Sequence, residues 1–271
     1  TYAIRQASLE VGTYVIEPIP FIPLVMQRQF HALEALCSQE KDDSNFVQSC
    51  IFGDVLPSTG ALPTLTTGAT MLNTRQEFAV RSAINSPLTL IQGPPGTGKT
   101  VVAVAIVLEW LAQDDTTPIL VATGTNSASE LLERRLTEAG VVLSDRRRMI
   151  LGKPQRDNAK PVFVETVFAA SMPNTRILPR VLIDESAQIT EAAALVALMQ
   201  QCTHLVLIGD PRQLGPVSLR NSPILEDERE SVFQNIHVRH FPILRFLNEQ
   251  YRMDPRICEH PSRRFYAGIL K

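Results

Sequence analysis

Beyond residue 70, short apolar runs alternate with stretches in which apolar positions recur every three or four residues. The runs predict buried strands at 88–91, 119–122, 181–183 and 205–208. The periodic stretches predict helices at 101–111, 127–139 and 191–200. Apolar strands that alternate with helices are typical of a parallel sheet covered on both faces. On such a sheet, ligands bind beyond the carboxyl ends of the strands.

Local signals set the bounds of the second predicted helix. Ser127 and Glu130 have the spacing of a capping box, and Gly140 follows the last periodic position. We therefore expect this helix to begin at Ser127 and to stop at Gly140.

The first 70 residues follow a different pattern. Residues 1–22 alternate apolar and polar positions and then meet several prolines, which predicts a strand or two ended by a turn. Residues 24–36 have helical periodicity. Residues 53–70 are rich in glycine, proline and threonine, which is typical of a linker. We expect boundaries near residues 22 and 70, with the α/β domain at 71–271.

Composition narrows the class of protein. The 271 residues include 26 Lys and Arg against 28 Asp and Glu, so the formal net charge is −2. This balance excludes an overall basic nucleic-acid module, although a local basic groove remains compatible with it. Hydrophobic residues make up 44% of the chain, which predicts a sizeable core and excludes disorder over most of the length.

Cysteine spacing and the chain start bear on the cellular compartment. The four cysteines are far apart and form no CxxC pair, so we expect reduced, unlinked thiols at Cys37, Cys50, Cys202 and Cys258. No secretory signal opens the sequence, and its most apolar early stretch is too short to span a bilayer. We expect an intracellular protein, cytoplasmic or nuclear, without membrane contact. Because the first residue is Thr1, we interpret the sequence as a fragment of a longer chain.

A glycine-rich loop follows the first predicted strand of the α/β region and precedes a predicted helix. It has the pattern G-x-x-x-x-G-K-[ST] and consists of Gly93, Pro94, Pro95, Gly96, Thr97, Gly98, Lys99 and Thr100. Backbone N–H groups in such a loop line an anion nest, and the helix N-terminus adds its dipole. We expect Lys99 to reach the β- and γ-phosphates of a nucleotide and Thr100 to ligate Mg²⁺. A glycine-rich turn without a ligand is the alternative interpretation.

Two other predicted strands end in polar residues. Asp184 and Glu185 follow the strand at 181–183. A carboxylate placed beside a phosphate loop can support Mg²⁺, and the next can polarise the attacking water. Gln213 follows the strand at 205–208, where an uncharged donor can report whether a γ-phosphate is present. Taken alone, either motif is also compatible with a solvated turn.

These motifs, together with a fourth near the end of the chain, resemble motifs I, II, III and IV of superfamily 1 helicases. They cover residues 93–100, 184–188, 209–216 and 250–253. The resemblance is greatest to subgroup 1B, which includes the nonsense-mediated-decay RNA helicase. Shorter stretches resemble that subgroup's Q motif and motifs Ia and Ic, and they are residues 72–76, 123–127 and 165–166.

The resemblance implies a fold and a domain order. It implies an α/β fold, namely a P-loop NTPase with a RecA-like parallel sheet and helices on both faces. It also implies that a partial β-barrel with stalk helices precedes this sheet, with the barrel end at 1–22 and the stalk and linker at 23–70. Members of the subgroup carry a second RecA-like domain, which this chain does not reach, so we expect that domain to be its missing partner.

The resemblance also assigns roles around the nucleotide. It implies that Gln76 reads the adenine edge and that Tyr251 stacks on the base. Gln213 and Arg252 would approach the γ-phosphate, and Glu185 would act as the general base for hydrolysis. ATP and Mg²⁺ are therefore the implied cofactors.

Single-stranded RNA or DNA is the implied partner. Thr125, Asn126 and Thr166 would touch the backbone of the strand. The triple arginine at 146–148 is compatible with phosphate contacts, although a solvated loop is the more ordinary interpretation.

Two function classes follow from these motifs. The first is an ATP-driven helicase or translocase, represented here by its first motor domain. The second is a nucleotide-binding regulatory or scaffold module without unwinding activity. Glu185 and Gln213 favour the motor, because a module that only binds nucleotide needs neither.

Overall fold

The computed structural model describes most of the α/β region and little of the chain before it. The described residues are 27, 29, 62–67, 71–145, 160–170, 178–198, 202–216, 230–239 and 243–271. The expected β-barrel end and most of the expected stalk and linker lie outside them. So do Cys37, Cys50 and the triple arginine at 146–148.

Within the described residues, six strands form one sheet. They are β1 Leu88–Gln92, β2 Ile119–Thr123, β3 Val162–Thr166, β4 Arg180–Ile183, β5 His204–Gly209 and β6 Leu244–Phe246. Their order across the sheet is β3-β2-β4-β5-β1-β6, and every neighbouring pair is parallel. The predicted parallel α/β sheet is thereby confirmed.

Helices connect the strands. The α-helices are α1 Thr74–Asn85, α2 Lys99–Gln113, α3 Asn126–Glu138, α4 Val167–Ala170, α5 Glu191–Leu198, α6 Val232–Arg239 and α7 Pro255–Phe265. A short 3₁₀ helix at Ser186–Gln188 follows β4.

Two apolar layers lie on opposite faces of the sheet. Along β1, Leu88 and Leu90 belong to one layer and Ile91 to the other. The first layer includes Phe233 from α6, and the second includes Ile106 from α2. Since successive side chains of a strand point to opposite faces, a strand covered on both sides needs apolar residues throughout.

The predicted bounds hold closely, with one exception at a helix start. Each of the four predicted strands extends by a residue at one or both ends. Helix α3 begins earlier than expected, because Thr125 is its N-cap and accepts a hydrogen bond from the Ala128 N–H at 3.3 Å. The expected cap at Ser127 is therefore wrong. Gly140 has a left-handed φ of 84°, which agrees with the predicted helix stop.

Two further expectations concern thiols and membranes. Cys202 and Cys258 are buried free thiols, as the sequence predicts. No helix in the described ranges is long and apolar enough to cross a membrane.

Candidate nucleotide-binding site

The phosphate loop joins β1 to α2. The Gly93 N–H donates to the Gly209 carbonyl at 3.0 Å, so the ladder between β1 and β5 continues into the loop. Gly96 and Gly98 have left-handed φ angles of 79° and 84°, which other residues rarely adopt. Lys99 opens the 15-residue helix α2, and its Nζ donates to the Gly93 carbonyl at 3.1 Å. The loop thus folds around an ammonium group at a helix N-terminus, an arrangement that suits a phosphate.

Two distant segments pack against the backbone of this loop. A Cβ atom on Gly96 would lie 2.6 Å from the Arg252 Cβ, and one on Gly98 would lie 2.5 Å from the Gln76 Nε2. The Tyr251 N–H also donates to the Gly96 carbonyl at 2.9 Å. The two glycines therefore permit a close approach that a side chain would block.

The acidic pair faces the loop from the end of β4. The Asp184 N–H donates to the Ala122 carbonyl at 2.9 Å, which carries the sheet ladder one residue past the strand. Glu185 has a left-handed φ of 52°, uncommon for a residue with a side chain. Its Oε1 lies 3.4 Å from the Lys99 Nζ. Motifs I and II thus meet at the carboxyl edge of the sheet.

The Asp184 carboxyl is buried, with 5% of the residue exposed. Burial, and secondly the nearby charge of Glu185, raise its pKa to about 6, against the opposing effects of the Glu185 N–H and the Lys99 ammonium. Within the described residues, its carboxylate accepts a hydrogen bond from the Glu185 N–H alone, at 2.9 Å. A buried carboxylate with so few donors is suited to gain a cation.

Gln213 is anchored at the third strand end through Asp210. The Gln213 Nε2 donates to Asp210 Oδ2 at 2.9 Å, and Gln92 Nε2 donates to Asp210 Oδ1 at 3.1 Å. Gln92 is the last residue of β1, directly before the phosphate loop. The Gln213 motif therefore lies beside the loop, as expected for neighbouring parallel strands.

Gln76 is buried at the start of α1 and holds two structural contacts. It shares a capping box with Asn73, in which its Oε1 accepts the Asn73 N–H at 3.0 Å. Its Nε2 donates to the Thr97 carbonyl at 3.0 Å. An amide oxygen accepts two hydrogen bonds and an amide nitrogen donates two, so each atom retains one unused position here.

Tyr251 lies close to the same helix end. Its ring is exposed, with 66% of the residue accessible. Its hydroxyl accepts a hydrogen bond from Asn73 Nδ2 at 2.8 Å and donates to Glu249 Oε2 at 3.2 Å. Asn73 thus contacts both residues that the resemblance assigns to the base.

Arg252 is exposed beside the phosphate loop. Its N–H donates to Gln250 Oε1 at 3.0 Å, and Gln250 Nε2 donates to the Met253 carbonyl at 2.8 Å. Gln250 therefore organises the turn that presents Tyr251 and Arg252.

The residues assigned to nucleic acid lie elsewhere on the carboxyl edge, after β2 and β3. Thr125 is exposed and caps α3, and Asn126 is the first residue of that helix. Thr166 ends β3, pairs in register with Thr123, and accepts a hydrogen bond from the Ala169 N–H at 3.2 Å. The Thr125 and Thr166 hydroxyls thus both make local backbone contacts.

Sequence reasoning missed several residues that hold this site together. They are Asn73, Gln92, Asp210 and Tyr266, and each reaches a partner from another motif. Asp210 lies inside a motif that sequence reasoning identified, so its position was available as a signal. Tyr266 is isolated in the sequence, and nothing local marks its contact.

The chain resembles known proteins over most of its length. Residues 76–219 match a family described as AAA domain. The regulator of nonsense transcripts 1 homolog of Neurospora crassa is 29% identical over 75% of this chain, and that of Caenorhabditis elegans is 29% identical over 90%. The ATP-dependent helicase NAM7 of Saccharomyces cerevisiae is 29% identical over 74%. The matches cover 23%, 28% and 26% of those relatives, so the chain spans about a quarter of their length.

A solved structure has similar but more distant geometry. The Pif1 helicase from Candida albicans is 17% identical, with a TM-score of 0.43. The match covers 71% of this chain and 44% of that one.

Proposed function

The chain belongs to the AAA-domain family, and on this premise we propose that it binds and hydrolyses ATP as the first motor domain of a superfamily 1B nucleic-acid helicase. The names of its curated relatives confirm the resemblance to nonsense-mediated-decay helicases. The observation that carries the proposal is the meeting of Lys99 with Glu185 across two strand ends. A loop that only bound phosphate would not need that carboxylate.

The residues at the phosphate loop fit a nucleotide with Mg²⁺. Lys99 would bind the β- and γ-phosphates, and Thr100 and Asp184 would hold the metal ion. Magnesium is commonly held by one or two protein carboxylates together with phosphate oxygens. When bound, it would neutralise charge on the phosphates. The raised pKa of Asp184 supports this role, because a buried carboxylate gains most from an added positive charge.

Glu185 would act as the general base. Without nucleotide, its carboxylate lies 3.4 Å from the Lys99 ammonium. Phosphates bound at Lys99 would compete for that ammonium and leave the Glu185 carboxylate free to accept a proton from water. The left-handed backbone at Glu185 supports a functional role, because strained residues cluster at active sites.

The adenine base would lie between Gln76 and Tyr251. The unused N–H and lone pair of the Gln76 amide match one acceptor and one donor on a base edge. The exposed Tyr251 ring offers a flat surface for stacking. Arg252, next to Tyr251 and against Gly96, would approach the γ-phosphate together with Gln213.

Single-stranded RNA or DNA would cross the carboxyl edge at Thr125, Asn126 and Thr166. Their positions after β2 and β3 support this path, because the nucleotide then occupies the neighbouring strand ends. A second RecA-like domain would supply the other grip on the strand and a further arginine at the γ-phosphate.

The test is ATP turnover by a chain that continues past Lys271, with and without single-stranded RNA or DNA. We expect at least one of the two nucleic acids to stimulate turnover, and we expect Glu185→Gln to remove the stimulated rate. Turnover that neither nucleic acid changes would contradict the motor function and favour a regulatory module.

A second measurement separates one grip from two. Unwinding needs two contacts on the strand whose separation changes with nucleotide state. We therefore expect no strand displacement by the 271-residue chain alone. Its ATP turnover should be slow, since loss of an arginine finger typically costs about 10³- to 10⁵-fold. ATP-dependent displacement by this chain alone would contradict the two-grip argument.

A further inference from the structure

A buried carboxylate links the third strand end to the last helix of the described chain. Asp210 directly follows β5 and is 1% exposed. Within the described residues, four donors reach it. Gln92 Nε2 and the Arg212 N–H bind Oδ1, each at 3.1 Å. Gln213 Nε2 at 2.9 Å and the Tyr266 hydroxyl at 2.7 Å both bind Oδ2.

Tyr266 is the donor from the most distant part of the chain. It caps the C-terminal end of α7, and its ring lies 6.3 Å from that of Phe246 in β6. Burial, and then the hydrogen bond to Asp210, raise the pKa of its hydroxyl, so the group remains a protonated donor at neutral pH. One carboxylate oxygen therefore holds both α7 and Gln213.

Gln213 retains hydrogen-bonding capacity for a ligand. It is half-buried, and one Nε2 hydrogen is committed to Asp210. In the described part of the chain, its second Nε2 hydrogen and its Oε1 have no partner. Because Asp210 restrains one end of the amide, the other end is held in a defined orientation.

We propose that Tyr266 is a positioning residue for Gln213: its hydroxyl fixes the rotation of the Asp210 carboxylate, and that carboxylate fixes the Gln213 amide. The inference rests on the proposed function, since it takes Gln213 as the group that approaches the γ-phosphate. The terminal torsion of an aspartate is broad, so its carboxylate is oriented by its donors. A displacement of α7 would reach Gln213 through two consecutive hydrogen bonds.

The first test is Tyr266→Phe in the chain that continues past Lys271, measured by steady-state ATP hydrolysis. Phenylalanine keeps the ring against Phe246 and removes only the hydroxyl. We expect kcat to fall about tenfold, the order of effect for a lost hydrogen bond to a charged group. KM should be unchanged, because Lys99 and the phosphate loop bind the nucleotide independently of Asp210. An unchanged kcat would overturn the inference.

A double-mutant cycle distinguishes positioning from a separate effect. In a Gln213→Ala background, Tyr266→Phe should change kcat less than about twofold, because the residue on which it acts is absent. If the two substitutions instead multiply, Tyr266 does not act through Gln213 and the inference is wrong.

Ser262→Ala is the matched control for general loosening. Ser262 is buried in α7, and its hydroxyl donates to the Leu270 carbonyl at 2.7 Å without contacting Asp210. We expect kcat within about twofold of the unsubstituted chain. A loss equal to that of Tyr266→Phe would overturn the inference. Failure of the unsubstituted chain to hydrolyse ATP would instead overturn the proposed function, and the inference with it.

Discussion

Two buried carboxylates at opposite ends of the sheet have opposite electrostatics. Glu109, near the C-terminal end of α2, is 1% exposed and accepts hydrogen bonds from the N–H and hydroxyl groups of Thr66 and Thr67. Burial alone would raise its pKa, yet these hydrogen bonds outweigh burial and the pKa is lowered. Asp184 is similarly buried, has one donor among the described residues, and has a pKa raised to about 6.

The difference separates a structural carboxylate from a functional one. Glu109 has its hydrogen-bonding partners supplied by the chain, so its charge is stabilised without a ligand. Asp184 is left with an uncompensated charge beside the phosphate loop, which costs stability until a cation arrives. A buried acid with too few donors is therefore a stronger indication of a site than burial alone.

The largest expected effect comes from breaking the nucleotide end. Glu185→Gln should retain nucleotide binding and lower hydrolysis by about 10²- to 10⁴-fold, the usual contribution of a general base. Lys99→Ala should lose binding itself, because it removes the ammonium at the loop. Equilibrium binding of a fluorescent nucleotide, measured beside single-turnover hydrolysis, separates the two outcomes. Equal loss of affinity in both variants would contradict these roles.

Breaking the opposite end should unfold rather than inactivate. Glu109→Gln replaces an oxygen that accepts N–H and O–H donors with an NH₂ group that cannot. We expect the free energy of unfolding in urea to fall by about 2 to 3 kcal/mol. Glu138→Gln, at an exposed ion pair with Arg135, is the control and should change it by less than about 0.5 kcal/mol. Equal stability of the Glu109 variant and the control would remove the structural half of the comparison.

Neutralising the other carboxylate should have the reverse sign. Asp184→Asn keeps an oxygen for the Glu185 N–H and removes the buried charge. A pKa raised from 3.8 to about 6 corresponds to roughly 3 kcal/mol at neutral pH, so we expect a gain of about 1 to 2 kcal/mol in the nucleotide-free chain. Metal-dependent nucleotide hydrolysis should be lost in the same variant. A destabilised Asp184→Asn chain at pH 7 would show that the carboxylate is held as firmly as Glu109.

The smallest expected effect is a pH dependence. Because folding raises the pKa of Asp184, its favourable contribution is complete below the unfolded value near 3.8 and is lost as pH rises through about 6. Between pH 5 and pH 7, the nucleotide-free chain should lose about 1 kcal/mol of unfolding free energy through this group.

Asp184→Asn should flatten that part of the pH profile, and its difference from the unsubstituted chain isolates the group. Glu109 contributes in the opposite sense: its lowered pKa stabilises the fold above the ordinary glutamate pKa, and this is lost only as pH falls through the lowered value. Identical profiles for the unsubstituted chain and Asp184→Asn would contradict the assignment.

The phosphate loop and the strands were predictable because their signals are local. The loop places its glycines, Lys99 and Thr100 within eight consecutive residues, and the backbone geometry of that spacing depends little on the rest of the fold. The doubly buried strands were likewise predictable from runs of apolar residues. Strand β6 was not, since three residues, Leu244–Phe246, are too few to show a periodicity.

The polar contacts between segments were not predictable, because they join residues with no sequence relation. Glu109 interrupts an otherwise apolar helix, and only the fold shows that Thr66 and Thr67 meet it. The contact of Tyr266 with Asp210 spans 56 positions. Single hydrogen bonds of this kind leave no pattern in the neighbouring residues, whereas packing leaves a periodic one.

The position of β1 in the sheet has a consequence for biosynthesis. Its neighbours are β5 and β6, which lie late in the chain, so Leu90 pairs with Leu207 and with Leu244. Contacts of such long sequence separation form slowly. On a ribosome, the strand that carries the phosphate loop would wait for both partners to emerge, long after β2 had been made. A nascent chain should therefore acquire nucleotide affinity in one late step, and release of progressively longer nascent chains would show where that step falls.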